Sequence, residues 1–263
     1  MSSFFRTKSF KLAFSFLGII LVILVALPVV RMILSADPAI MRATIADHEV
    51  MASIFLTFRA AFWSTIFCAF FGIPLAYLLA RSNFPCKNLI EGLIDLPVMI
   101  PHTAAGIALL MVYGRSFFMG KAFGKVGISF VGTEIGISLA MAYVSLPFLV
   151  NAAKDGFLAV DSKLERVART LGASPWQAFF RITLPLSWRS ILSGGIMMWA
   201  RGISEFGAVI ILAYHPMVAP VLIWERFQAY GLKYAKPVAV LLILFCLLIF
   251  AFLRWVAETK KEV

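Results

Sequence analysis

Long apolar stretches alternate with short polar segments along the chain. A helix that crosses a membrane needs about 20 mostly apolar residues, and six stretches come near or exceed that length. They lack the alternation with a period of two residues that marks the strands of a membrane barrel. The pattern therefore predicts an all-α polytopic membrane protein with six transmembrane helices, at about residues 12–34, 56–80, 96–118, 135–153, 190–212 and 237–255.

The composition supports this class. Apolar residues make up 62% of the chain and charged residues 14%, whereas a soluble domain carries about 25% charged residues. These values exclude an ordinary soluble domain and a disordered chain. The net charge of +11 would suggest nucleic acid in a soluble protein, but in a membrane protein Lys and Arg collect in the loops. We expect lipid contacts and no nucleic-acid partner.

The distribution of Lys and Arg predicts the orientation. More of them fall on the side of the chain ends than on the other side of the six predicted crossings, which predicts that both termini are cytoplasmic. The first apolar run is also longer than the about 7 to 15 residues of a signal-peptide core, so we expect it to be retained as a crossing. Residues 1–263 are therefore expected to form one transmembrane domain in the cell membrane.

The longest inside segment, the loop 155–189, carries signals for two short helices. Ser162 and Glu165 fit a capping box, and Glu165 is spaced to pair with Arg169. Gly172 stands where a glycine ends a helix. Apolar residues follow Ser162 at helical spacing on one face, namely Leu164, Val167, Ala168 and Leu171.

A second start follows at once. Ser174 is placed as an N-cap, Pro175 as the first helical residue and Gln177 as the end of another capping box. Pro185 is expected to end this helix. The two short helices are either an interfacial pair lying on lipid or a docking element for a soluble partner, and periodicity favours neither.

The second half of this loop resembles a known family. Gly172, nine residues and then Ile182-Thr183-Leu184-Pro185 are similar to the loop of membrane subunits of ATP-binding-cassette importers. The family's Glu-Ala-Ala is replaced by Arg166-Val167-Ala168, with Glu165 one position earlier. The resemblance implies that the loop inserts as a coupling helix into an ATPase subunit, through Glu165, Ala168, Gly172, Ala173, Ser174, Pro175 and Pro185.

Three further stretches indicate which permeases within this family the chain resembles. Residues 96–106, Phe84-Pro85 and the Arg201-x3-Glu205-Phe206-Gly207-Ala208 stretch resemble permeases for molybdate, tungstate and sulfate. His102-Thr103 and Tyr214-His215-Pro216 are most similar to the archaeal molybdate/tungstate type. The resemblance implies a homodimeric permease that moves an oxyanion by alternating access. Its expected partners are a second copy, two ATP-binding-cassette subunits and an extracellular or periplasmic oxyanion-binding protein.

No residues for ATP chemistry are evident in the sequence. The nearest approach to a P-loop, which needs G-x4-G-K-[ST], is Gly114 followed by Gly120-Lys121-Ala122, with the wrong spacing and no hydroxyl for magnesium. We expect a transport subunit without catalytic residues, metal or cofactor, and ATP and magnesium on the partner chain. The three histidines are far apart in sequence and are expected to be structural or interfacial.

Two charges interrupt the predicted fifth crossing. Each of Arg201 and Glu205 costs about 2.5 to 3.5 kcal/mol near mid-membrane, and a spacing of four residues allows them to pair. They are either a structural pair, which we favour, or a pathway cation with its counter-ion. Neutral donors suit brief contact with a passing anion better, and Thr103 and Ser204 are the candidates.

Two prolines predict a break in the third crossing. Pro97 and Pro101 interrupt the predicted third crossing and mark a hinge or gate.

Glu205 is the one clear intramembrane carboxylate available for proton coupling. A sulfate permease of the same family, or a secondary anion transporter not driven by ATP, are the alternatives to a molybdate/tungstate importer.

Overall fold

A computed structural model describes the backbone of residues 2–259 and the side chains of residues 10–251. The described residues form helices and loops without strands. The first helices along the chain are α1 (Ser2–Leu34), α2 (Pro38–Ala46), α3 (His48–Arg81), α4 (Lys87–Met99), α5 (His102–Tyr113), α6 (Phe118–Gly124) and α7 (Glu134–Ala159). They are followed by α8 (Ser162–Thr170), α9 (Pro175–Ala178), a π-helical turn (Phe179–Thr183), α10 (Leu184–Ile203), α11 (Gly207–Leu212), α12 (Ala219–Tyr230) and α13 (Leu232–Thr259).

Four helices of the described part are long and apolar enough to cross a membrane, namely α1, α3, α7 and α13. A fifth span results if α4 and α5, which are bent by 117° at their break, count together. The predicted crossing 190–212 falls on α10 and α11, which do not meet the same length and hydropathy criteria. The all-helical, multi-span class is confirmed.

Residues 52–222 form one compact unit, in which α7 is the central helix. It packs along α10, α4 and α11. Near its C-terminal end small residues bring it close to α10, since a Cβ on Gly156 would lie 2.6 Å from the Ser190 Cβ and one on Gly194 would lie 2.6 Å from the Ala152 Cβ. Two polar contacts add to this packing, since Asn151 donates to Asp95 of α4 (2.6 Å) and Lys154 lies 3.4 Å from Glu91.

The segments before residue 52 and after residue 222 form the other unit. There α13 packs against α1 and α2. Arg226 bridges Asp47 (2.7 Å) and Glu49 (3.1 Å). Burial raises the pKa of Asp47, but the hydrogen bond and charge of Arg226 outweigh burial and hold that pKa below its ordinary value.

The break between α4 and α5 has a local cause. Ile100 closes α4 with its N–H on the Leu96 carbonyl (3.2 Å), and Pro101 follows as the N-cap of α5. Proline lacks an N–H and disfavours helical geometry in the residue before it. The hinge predicted from Pro101 is thus a real break, whereas Pro97 lies inside α4.

The structure corrects two local predictions in the loop. Asp161, not Ser162, caps α8, and its side chain accepts from the Lys163 N–H (2.8 Å). Pro185 does not end the second short helix, because α9 continues through the π turn into α10. In that turn the Leu184 N–H bonds to the Phe179 carbonyl, so the extra residue accommodates the missing N–H of Pro185.

Candidate functional site

Two broken helices meet in the compact unit. Helix α5 begins at His102 directly after its break, and α10 ends just before Ser204–Phe206, the gap that precedes α11. α5 and α11 pack against each other. Broken helices in membrane proteins expose backbone groups and place polar side chains inside the protein, so this junction is a candidate part of a transport pathway.

Three ionisable side chains converge at the junction. Glu205 Oε2 lies 2.9 Å from His102 Nδ1 and 3.1 Å from Arg201 Nη2. Arg201 Nη2 also lies 2.7 Å from the same His102 nitrogen. The carboxylate is fully buried, whereas Arg201 and His102 are partly exposed. The pairing of Arg201 and Glu205 expected from their spacing is present, and His102 is a third member.

Glu205 also shapes the backbone beside it. Its Oε1 accepts the Ala208 N–H of α11 (2.8 Å), which supplies an acceptor to one of the otherwise unpaired donors at the start of that helix. Glu205 Oε2 lies close to His102 and Arg201, but neither contact has the geometry of a regular hydrogen bond. Because a buried carboxylate needs such partners, the cluster supports a structural role for Arg201 and Glu205.

Two glycines allow the helices of the junction to touch. A Cβ on Gly106 would lie 2.9 Å from the Cα and the carbonyl oxygen of Ala208, and one on Gly207 would lie 2.8 Å from the His102 Cβ. Real Cβ atoms do not approach other atoms so closely. The two helices therefore pack backbone to backbone, which small residues permit in membranes.

The predicted pathway residues lie around this cluster. Thr103 is exposed in the first turn of α5, and Ser204 is exposed at the end of α10. The Ser204 hydroxyl accepts from Arg201 Nη1 (3.2 Å) and donates to the Arg201 carbonyl (3.0 Å). Pro101 is exposed at the break, whereas Pro97 is buried in α4.

A second cluster ties the loop 155–189 to the long helices. Glu165 of α8 accepts from Tyr77 Oη (2.9 Å) and Arg81 Nε (2.9 Å), both on α3. It also accepts from Thr183 Oγ1 of the π turn (2.7 Å). These contacts take the place of the predicted pair with Arg169. Only 13% of the Glu165 side chain is exposed.

The Glu165 carboxylate is held in its charged form. Burial raises its pKa, but hydrogen bonds from Thr183, Tyr77 and Arg81, with the charge of Arg81, outweigh burial and lower the pKa below its ordinary value of 4.5. Hydrogen bonds to a carboxylate stabilise the ionised form. Glu165 is therefore an anionic acceptor for three donors at neutral pH.

The opposite face of the loop is apolar and open. The apolar stripe predicted on α8 is exposed except at the half-buried Ala168. In the second helix Trp176 stacks on Phe180 with ring centroids 6.0 Å apart, and both rings are exposed. Between residues 161 and 183 the large exposed apolar side chains are Leu164, Val167, Leu171, Trp176 and Phe180.

The turn between the two short helices has the predicted geometry. Gly172 has a φ of +93°, a conformation that glycine adopts without the strain of a Cβ, and the Ala173 N–H bonds to the Ala168 carbonyl (3.0 Å). The capping box of Ser174 and Gln177 is confirmed, with Pro175 as the first helical residue. The turn therefore brings α8 and α9 into contact with each other.

Several contacts within these clusters are not predicted by the sequence. His102 is expected from the sequence to be structural or interfacial, and its two charged partners are about a hundred positions away. Tyr77, Arg81 and Thr183 reach Glu165 only because α3 and the π turn pack beside α8. The capping-box spacing of Ser162 and Glu165 is a local signal, and it does not predict the contacts of Glu165 with α3 and the π turn.

The sequence matches a family model over residues 72–261, that of the binding-protein-dependent transport system inner membrane component. The chain belongs to this family. It is therefore a multi-pass membrane component of a transport system, and the membrane localisation expected from the apolar segments is confirmed.

Curated relatives cover almost the whole chain. The chain is 44% identical over 252 residues to the molybdate/tungstate transport system permease protein WtpB of Pyrococcus furiosus, covering 95% of this chain and 96% of that protein. It is 43% identical over 250 residues to WtpB of Thermococcus kodakarensis, with 94% and 96% covered. A probable sulfate transport system permease protein, cysT of Chlorokybus atmophyticus, is 32% identical with 86% and 80% covered.

Solved structures share the fold. A chain of a bacterial ABC transporter involved in the import of the acidic polysaccharide alginate superposes with a TM-score of 0.74 at 15% identity, covering 98% of this chain and 97% of that one. A chain of the MetNI methionine ABC transporter gives a TM-score of 0.63 at 17% identity, with 80% and 95% covered. At these identities the likeness shows a common fold.

Proposed function

We propose that this chain is the permease subunit of an ATP-driven importer for molybdate and tungstate. The observation that carries the proposal is the near-complete match, at 43 and 44% identity, to two permeases named for these oxyanions. The match to a sulfate permease is weaker, at 32%. The substrate class is thus a tetrahedral dianion, with sulfate as the competing member of the class.

The proposed topology has six crossings with both termini in the cytoplasm. The bent α4–α5 pair supplies the third crossing and α10 with α11 supplies the fifth, each interrupted at the junction that holds His102, Arg201 and Glu205. The loop 155–189 then lies in the cytoplasm between the fourth and fifth crossings. Two copies pair and form the pathway along their interface, since one short bundle of helices encloses little space for a gated anion path.

The open apolar face of the loop is the proposed contact with the ATPase partner. A contiguous set of exposed aromatic and aliphatic side chains marks an interaction site, and Trp is enriched where protein partners bind most tightly. ATP and magnesium are bound and ATP is hydrolysed in two partner subunits, one on each loop. This surface is shaped by the turn of Gly172, Ala173, Ser174 and Pro175, and Ala168 packs beneath it. Pro185 lies in α10, the helix through which motion of the loop reaches the junction.

Anion passage is assigned to neutral donors at the junction. Thr103 and Ser204 are exposed there, and brief hydrogen bonds to hydroxyl groups allow an anion to leave again. Arg201, His102 and Glu205 hold the two breaks together, and the break at Pro101 is the proposed gate. ATP binding on the partners moves the loops, and the crossings rock between inward-open and outward-open packings while an external binding protein delivers the oxyanion.

The proposal is tested by uptake into liposomes. The chain is reconstituted with its ATPase partner and oxyanion-binding protein, and uptake of labelled molybdate is followed with and without ATP. We expect ATP-dependent uptake, inhibited by equimolar tungstate and little affected by equimolar sulfate. Stronger inhibition by sulfate than by tungstate would assign a sulfate permease instead, and uptake driven by a proton gradient without ATP would identify a secondary transporter.

A further inference from the structure

Glu165 connects more helices than any other side chain of the loop. It belongs to α8, and its three hydrogen-bond donors belong to α3 and to the π turn that leads into α10. Its carboxylate is mostly buried, at 13% exposure, as is its partner Arg81 at 14%. This carboxylate points into the chain's own helices, away from the apolar face of the loop.

Arg81 extends the connection to a fourth helix. While its Nε donates to Glu165, its Nη2 donates to the Val160 carbonyl (2.8 Å), where α7 ends. Arginine presents several donors in a rigid planar fork, which suits it to join two acceptors in a fixed geometry. The ends of α3 and α7 and the start of the loop are thereby held by one guanidinium and one carboxylate.

The π turn makes Thr183 part of this network. A π turn contains one residue more than a regular helical turn, and such turns are frequent at functional sites. Thr183 is fully buried and lies where α9 joins α10, the long helix that ends at Arg201 and the junction. A displacement of Thr183 along the helix therefore displaces α10 as well.

Few other contacts fix α8 to the long helices. Its large apolar side chains point outward, and its two chain connections are the extended Val160–Asp161 step and the turn at Gly172. The hydrogen bonds of Glu165 are therefore the side-chain contacts that join α8 to α3 and to the π turn.

From this geometry we infer that Glu165 is a positioning residue that clamps α8 to α3 and to the π turn, so that a displacement of the loop by the ATPase partner moves the long helices with it. The inference rests on the proposed function. Glu165 binds neither the oxyanion nor ATP. It sets how completely motion of the loop reaches the pathway.

The test compares two threonine hydroxyls. Thr183→Val removes the hydroxyl that bonds Glu165, whereas Thr170→Val removes one that bonds only the Val167 carbonyl within α8 (2.8 Å). Glu165→Gln is the second test variant. Each is assembled with the ATPase partner and binding protein in liposomes, and molybdate taken up per ATP hydrolysed is measured together with co-purification of the ATPase.

We expect Thr183→Val to lower the uptake per ATP about threefold and Glu165→Gln about tenfold, since hydrogen bonds to a charged group are stronger than average. Thr170→Val should match the wild type. All three variants should co-purify with the ATPase, because the apolar docking face is unchanged, and ATP hydrolysis should continue. Loss of uptake with retained hydrolysis is the signature of a broken clamp.

Each other result decides against one part of the account. Equal uptake per ATP in the wild type, Thr183→Val and Glu165→Gln would overturn the clamp alone. Uptake and hydrolysis that fall together, with lost co-purification, would show that Glu165 serves assembly and would also overturn it. If Glu165→Gln does not fold, the comparison of the two threonine variants still decides. A wild-type complex without ATP-dependent uptake would overturn the proposed function itself.

Discussion

The cluster at the helix junction allows a quantitative prediction for Arg201→Gln. The change removes the guanidinium that lies 3.1 Å from Glu205 Oε2 and leaves a fully buried carboxylate. Breaking a buried ion pair costs about 3 to 5 kcal/mol. Here His102 at 2.9 Å and the Ala208 N–H at 2.8 Å still contact the carboxylate, so we expect a loss in the free energy of unfolding of about 2 to 3 kcal/mol.

Two further variants separate charge from packing. The double variant Arg201→Gln with Glu205→Gln no longer buries an unpaired charge, so it should be more stable than Arg201→Gln alone by about 1 to 2 kcal/mol. Arg201→Lys keeps the charge and loses the planar fork, and it should lie between the wild type and Arg201→Gln. Thermal unfolding in detergent measures all four proteins.

The refuting results are specific. A double variant that is no more stable than Arg201→Gln alone would show that Arg201 and Glu205 do not stabilise each other. Wild-type stability and assembly of Arg201→Gln with lost molybdate uptake would assign the guanidinium to the anion pathway and end the structural interpretation. Lower stability with reduced recovery of the dimer and the ATPase complex is the outcome that the geometry predicts.

Three other predictions follow from the helix packing and the loop. Gly106→Ala should lower stability by about 1 to 3 kcal/mol because of the close approach to α11. Gly92→Ala should raise stability by about 0.5 to 1 kcal/mol, because its Cβ would meet open space. Thermal unfolding measures both variants. Trp176→Ala should reduce co-purification of the ATPase without changing thermal stability. Trp188 of α10 is also exposed, at 53% against 73% for Trp176, and Trp188→Ala is the control; equal retention of the ATPase by both variants would contradict the docking face. The pKa of Glu165 is lowered on folding, so its carboxylate contributes stability above pH 4.5 that is lost as the pH falls through its folded-state pKa. Glu165→Gln should therefore weaken the fall in the free energy of unfolding at acid pH. An unchanged dependence of that free energy on pH would contradict the hydrogen bonds described.

Local sequence signals predicted local structure well. Ser174, Pro175 and Gln177 start a helix where their capping pattern predicted it, because a capping box is complete within four residues. Gly172 ends the preceding turn for a similar reason, since a positive φ is a property of a single position. The long apolar runs predicted the spans in α1, α3, α7 and α13 because a bilayer requires length and apolar composition alone.

Signals that depend on neighbours were less informative. Asp161 and Ser162 are both good N-caps, and their order in the sequence does not decide which one caps α8. Pro185 is a helix breaker by local rules, yet the π turn before it absorbs the missing N–H. Arg201 and Glu205 were found through their spacing on one helix, whereas His102 joins them only through the packing of α5 against α11.

The most direct test of the central claim uses the purified chain without companions. The chain is expected to move oxyanions only when an ATPase partner displaces its loops. Liposomes containing the chain alone should therefore neither hydrolyse ATP nor accumulate molybdate, with or without a proton gradient, and adding the ATPase and the binding protein should restore ATP-dependent uptake. Accumulation of molybdate by the chain alone would contradict the account.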